Sequence, residues 1–425
     1  MRVAPDAAQS AAERTVLART TRSALARAGL TVTPAEAAHP AVVELAHIAQ
    51  RLLRADPADQ RPTEQSPMEQ SPAERLGLRL AQLRAENAED AAGDSEYVAD
   101  PARAAGADVP PGAVDWPVDL AVPRPHLERS VARALRALPP PRRQPDHGRP
   151  GHGQPDDGRP AVGDRGPVPD DGLPATPGSV VVRWREREAG ALGEAAALLA
   201  VAWPEAHREL GTVLAQIALL EGPAIDGFTD FAVHGAVFVR RDRLAPGPDG
   251  LPGPVRLAEA LVHEGTHTRC NAASVTAEPF LRPAQGDARL VSTPLRIDPR
   301  PLSGLFQQVV VLARSVLLYE RLLDLRPVTG RGATGRAVIG RSGSGRSAGG
   351  RSAGGWSAGG RSAAGSETVL DGPTVDEAAA IRARHGELVR SAVEGVSTLT
   401  RHRDALTERG AAVLADAAAV IRARG

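Results

Sequence analysis

The residues of this chain best suited to chemistry are His263 and His267, which flank Glu264 in the string LAEALVHEGTHTRCNAA. On a helix, positions i and i+4 stack on one face, so both imidazoles reach one divalent metal ion while Glu264 projects beside it. With 11 histidines in 425 residues, chance supplies roughly 0.02 such HExxH strings per chain of this length. Leu257, Leu261 and Val262 precede the motif and would anchor its helix in a core. A third protein ligand decides the identity of the metal. The longer pattern HExxHxxGxxH is excluded, because Cys270 stands where its glycine belongs and Ala273 where its last histidine belongs. Glu320 is the best carboxylate candidate, since it falls at helical spacing with Phe306, Val310, Ala313 and Leu317. Glu278, Asp287 and Asp298 are candidates on loops, and His234 is one on a strand.

Those residues need a helix to carry them and a core to hold it. Segment 254–273 reads as that helix, with proline in its first turn. Segment 304–325 reads as another, with Phe306, Val309, Val310, Ala313, Val316 and Leu317 on one face. Val180, Val181 and Val182 predict a strand, and a helix rich in Ala and Leu follows to Leu220, kinked near Pro204. FTDFAVHGAVFV, residues 228–239, alternates and reads as one or two strands. Upstream, helices are expected over 14–30, 35–54 and 73–87. Thr374 and Glu377 form a capping box that opens a C-terminal helix to about residue 409, which 411–424 continues. The predicted fold class is mainly α with a small β component (α+β), the HExxH helix packing on a short strand segment and neighbouring helices.

Composition divides the chain further. Residues 139–178 are dense in Pro, Gly and Asp, and 328–368 centre on a Gly-Arg-Ser-Ala-Gly pentapeptide repeat. Neither can bury enough apolar surface to offset its chain entropy, so the first reads as a disordered linker and the second as a low-complexity insert. They separate a helical N-terminal region (1–138), a metal-site domain (179–327) and C-terminal helices that pack on the core (369–425). Basic and acidic groups balance at 51 each, and every basic residue is arginine. A formal net charge of zero argues against nucleic acid or an anionic membrane as partner. The single cysteine, Cys270, excludes an internal disulfide and fits a reducing compartment. Neither an apolar segment near Met1 nor an apolar run of about 18 residues is evident, so a cytoplasmic protein is expected.

Three strings occur in order: GFTDFAVHGAVFVRRDRL, LAEALVHEGTHTRCNA and TPLRIDPRPLSGLFQQVVVLARSVLLYERL. Together they resemble the HExxH-motif proteins of bacterial peptide-modification clusters, the α-ketoglutarate-dependent HExxH-type peptide β-hydroxylases. The resemblance spans about residues 220–325. It implies a non-haem Fe(II) enzyme that uses 2-oxoglutarate and O₂ to hydroxylate a side chain of a ribosomally made precursor peptide. By position it makes His263 and His267 the metal ligands, and Arg296 and Arg300 the groups that hold the 2-oxoglutarate carboxylate by a bidentate contact. Glu264 then orients the site. Gln307, in GLFQQVVV, departs from the pattern, because histidine is expected there in many relatives. If position 307 supplies the third ligand, this chain binds metal weakly or only binds peptide. The alternative activity is a zinc metallopeptidase with Glu264 as general base for a metal-bound water.

Overall fold

The computed structural model describes residues 1–54, 71–92, 116–138, 178–282, 289–294, 296–325 and 374–423. The Pro/Gly/Asp-rich linker and the pentapeptide insert lie outside the described residues, Gly178 excepted. The described residues are 69% helical and 10% strand, a mainly α fold with a small mixed sheet.

A five-stranded sheet is the platform. Strands β1 (Asp119–Leu120), β3 (Gln216–Glu221) and β5 (Ala236–Arg240) run parallel. Strand β2 (Val180–Val182) pairs antiparallel with β3 on the edge that β1 also occupies, and β4 (Gly227–Thr229) pairs antiparallel with β5 at the far end. Phe228 and Phe238 sit in register there and stack at 4.2 Å. Residues of β3 and β5 alternate between two cores. Ile217, Val237 and Val239 join the main core, whereas Ala218, Leu220, Ala236 and Phe238 pack behind the sheet. A strand apolar on both faces reads as an unbroken hydrophobic run, which is why QIALLE looks like the end of a helix in the sequence. The helix expected through Leu220 is instead α6 (Glu186–Ala202) and α7 (Pro204–Val213), followed by β3. Proline at the first position of α7 is compatible with a helix start and not with the interior of a longer one.

Upstream, α1 (Ala7–Arg27), α2 (Pro34–Ala37), α3 (Pro40–Arg54) and α4 (Pro72–Ala92) precede β1, and α5 (Pro125–Arg136) follows it. Pro40 divides the helix expected over 35–54. Val3 lies in the main core, α1 packs on α7 and on the motif helix, and β1 belongs to the sheet. The N-terminal region therefore completes the same body that holds the motif.

Downstream come α8 (Gly253–Thr276), the hairpin β6 (Leu290–Thr293) and β7 (Arg296–Pro301), then α9 (Leu302–Asp324), α10 (Val375–Arg401) and α11 (Glu408–Arg422). The Thr374/Glu377 capping box opens α10 as expected, but a 3-10 turn at Arg403–Ala405 and a new N-cap at Thr407 make α11 a separate helix. By length and composition α9 is apolar enough to cross a bilayer, yet 78% of that window is buried inside the protein. It is the central core helix, packed on α8, α10 and α11.

Two buried histidines make stability depend on pH. Burial pulls the His126 pKa down to about 4, against a smaller opposing effect of the Gln216 hydrogen bond. Burial, with Arg14 and His47 nearby, pulls His234 to about 3. The unfolded chain takes up protons near pH 6.5 that the folded chain refuses. Stability is therefore complete above about pH 6.5 and falls as pH drops toward 4, by up to about 1.4 kcal/mol per pH unit for each histidine. Urea midpoints across that interval should decline in the wild type and decline less in a His126→Gln, His234→Leu double variant. Parallel declines would contradict this.

Candidate metal centre

The motif sits in the middle of α8. Gly253 at its start is pressed against the carbonyl of Leu244, where a Cβ would come within 2.4 Å of the oxygen. Leu257, Ala258, Leu261, Val262, Cys270 and Ala273 face the main core. Gly265, between the motif's two histidines, lets α7 approach closely, because a Cβ there would meet Leu210 Cδ2 at 2.3 Å. The other side of α8 carries a half-buried polar seam of His263, His267 and Asn271, spaced i, i+4, i+8.

His263 and His267 have ring centroids 5.1 Å apart at an interplanar angle of 58°. Two imidazoles sharing one ion through a nitrogen each, at about 2.0–2.1 Å, place their centroids about 5 Å apart. The separation of the two rings is the one that a shared divalent ion would require. Glu264 is 5% exposed and points to the sheet's edge: a Cβ on Gly227 of β4 would lie 3.1 Å from its Oε1. A larger residue at 227 would displace this carboxylate.

Helix α9 brings one more polar group. Gln307, in its second turn, has Oε1 at 2.8 Å from His267 Nδ1, and its Nε2 donates to Asn271 Oδ1 at 3.0 Å. Position 307 thus lies against the second motif histidine. The other candidates fall elsewhere. Glu320 is 13 residues further along α9, a rise of about 20 Å, and faces His385 at 3.8 Å. Glu278 is exposed beyond the end of α8, and its carbonyl accepts from Arg409. His234 precedes β5, buried beside Arg14 and His47. Asp287 lies outside the described residues, as do the side chains of Arg296 and Asp298, although β7 includes both of the latter. Arg300 is half-buried near the end of β7, paired across the hairpin with Val291, and α9 begins two residues later.

Among the described residues, no three His, Cys, Asp or Glu side chains gather where they could hold a metal. Among the described residues, the donors at hand are two imidazoles and one neutral amide. That set fits a divalent ion held through His263 and His267, more weakly than a set with a third imidazole or a carboxylate. A groove of about 560 Å³ between β6 and α10 is lined by Leu290, Val291, Arg390, Glu394 and Arg401. None of the motif residues lines it, and chemistry rather than volume marks the candidate centre. No protein-family profile matches this chain, and no curated protein matches it.

Asn271 and Gly227 escape sequence reasoning. Extending the i, i+4 stripe by one turn would find Asn271. Nothing local marks Gly227, whose role depends on the sheet bringing β4 against α8.

Proposed function

We propose that this chain is a cytoplasmic peptide hydroxylase that works with Fe(II) and 2-oxoglutarate at the His263–His267 pair. The observation that carries this reading is the contact of the motif's second histidine, His267, with Gln307 of α9, which joins the second and third of the three strings that carry the family resemblance. The bound iron, 2-oxoglutarate and O₂ would supply the oxidising chemistry. The chain's own residues bind and orient. His263 and His267 hold the ion through ring nitrogens, and their core-anchored helix fixes the spacing. Arg300, close to the start of α9, would hold a 2-oxoglutarate carboxylate through its guanidinium fork, with Arg296 of the same strand as its expected partner in that task. Glu264, buried beside β4, supports the site's geometry rather than accepting a proton from water.

A second reading, the zinc peptidase, draws on one observation: the Glu264 carboxylate lies beside an edge strand, where a general base for peptide hydrolysis would serve. Mass spectrometry of a precursor peptide incubated with the protein separates the two. With Fe(II), 2-oxoglutarate and O₂ the peptide should gain one oxygen atom, and Arg300→Ala should raise the 2-oxoglutarate concentration required. Cleavage with Zn(II), abolished by Glu264→Gln and indifferent to 2-oxoglutarate, would put the peptidase in its place. An unaltered peptide under both conditions would favour a chain that only binds it, as the neutral Gln307 would allow.

A further inference from the structure

We infer that Gln307 is a positioning residue, which fixes the ring of His267 by hydrogen bonding and is itself fixed by Asn271. The inference rests on reading His263 and His267 as a metal site, and it concerns how that site works without a third imidazole. The chain of hydrogen bonds has a direction. Gln307 Nε2 donates to Asn271 Oδ1, so Gln307 turns its carbonyl oxygen toward His267. That oxygen only accepts, so His267 must carry its proton on Nδ1. A neutral imidazole protonated on Nδ1 keeps the lone pair on Nε2, the nitrogen then able to bind an ion. A histidine ligand commonly donates its other N–H to a carbonyl or carboxylate that sets its tautomer and angle. The Gln307 amide oxygen does this for His267. The placement is specific: Asn271 lies one turn beyond His267 on the same stripe of α8, and Gln307 spans both from α9. Position 307 is thus neither a vacant ligand position nor a plain surface amide.

The test begins in the metal-free protein, where activity plays no part. Long-range ¹H–¹⁵N NMR at about pH 8.5, well above the usual imidazole pKa of about 6.5, should show His267 protonated on Nδ1. Free imidazole side chains favour Nε2–H. Gln307→Leu, which removes the acceptor at similar volume, should return His267 to that tautomer. Zn(II) alone then serves as the probe of affinity. Gln307→Leu should weaken Zn(II) binding about 10- to 100-fold, and Gln307→Glu, a stronger acceptor, should restore both the tautomer and the affinity. Asn271→Leu tells positioning from direct ligation. It should weaken Zn(II) binding severalfold if Gln307 must be held, and leave it unchanged or tighter if Gln307 itself moves in to bind the ion. Wild-type His267 protonated on Nε2, or Zn(II) affinity unmoved by both Gln307→Leu and Asn271→Leu, overturns the inference. Should wild type bind no Zn(II) while the tautomer shifts as expected, the metal site fails and the hydrogen-bond chain stands. Circular dichroism of each variant guards against misfolding, and Gln307→Met replaces Gln307→Leu if that variant does not fold.

Discussion

His263→Ala and His267→Ala are each expected to lower divalent-metal affinity by more than the roughly 10- to 100-fold that follows loss of a supporting hydrogen bond. Either change leaves one imidazole on α8 and a neutral amide across from it, since among the described residues no set of three His, Cys, Asp or Glu could compensate. The folded core should be untouched, because both rings lie on the half-buried seam and not among the apolar residues of α8. His385→Ala and His402→Ala are the controls, changing histidines of the C-terminal segment. Equilibrium dialysis followed by elemental analysis checks the result. Equal metal content in wild type and both motif variants would remove the site.

Glu209→Leu should produce the largest loss of stability. Glu209 of α7 is 2% exposed and pairs with Arg269 of α8 and Arg314 of α9, themselves 0% and 3% exposed. Burial alone would raise its pKa, but the Arg314 and Arg269 guanidiniums outweigh this and hold the carboxyl below its ordinary value. Removing it takes the nearest carboxylate from two buried cations, leaving Arg269 beside Glu13 at 3.7 Å, and breaking a buried pair in this way typically costs about 3–5 kcal/mol. The N-terminus is tied into the same cluster. Asp6 N–H donates to Glu209 at 2.6 Å, and Arg314 Nε donates to the Val3 carbonyl at 2.7 Å. Urea unfolding should show the loss, and limited proteolysis should cut before α1 more readily. Replacing Arg269 and Arg314 by Met as well should recover much of the stability, because a matched apolar set avoids the stranded charge. A single-variant effect under about 1 kcal/mol would mean that the cluster relaxes or admits water.

Local signals made much of this fold legible. Helix α8 was marked by its proline and apolar stripe, α9 by its one apolar face, and the start of α10 by the Thr374/Glu377 box. What failed was non-local. QIALLE is buried on both faces of a sheet whose partners come from positions 119, 180 and 236, and a continuous apolar run does not by itself distinguish helix from strand. RIDPRP contains two prolines and reads as a loop, yet it pairs with β6, where its first register match, Arg296 with Thr293, lies past a bulge. The candidate centre divides in the same way. The two histidines follow from spacing on one helix. Their partner on α9 is separated by 40 residues, and helical periodicity pointed to Glu320, on a different part of the same helix. Periodicity gives a face, not a height along the axis; only the packing of α9 on α8 places Gln307, rather than Glu320, against His267.

Under the proposed function, the α8 histidine pair supports Fe(II)- and 2-oxoglutarate-dependent turnover. Succinate release tests it most directly, measured with the full chain under O₂ in the presence of the precursor peptide. The expected result is succinate formed only when Fe(II) is present, in step with oxygenated peptide, and absent from His263→Ala and His267→Ala. Succinate formed at equal rates by wild type and both variants, or none from an Fe(II)-loaded wild type that cleaves the same peptide with Zn(II), would contradict it.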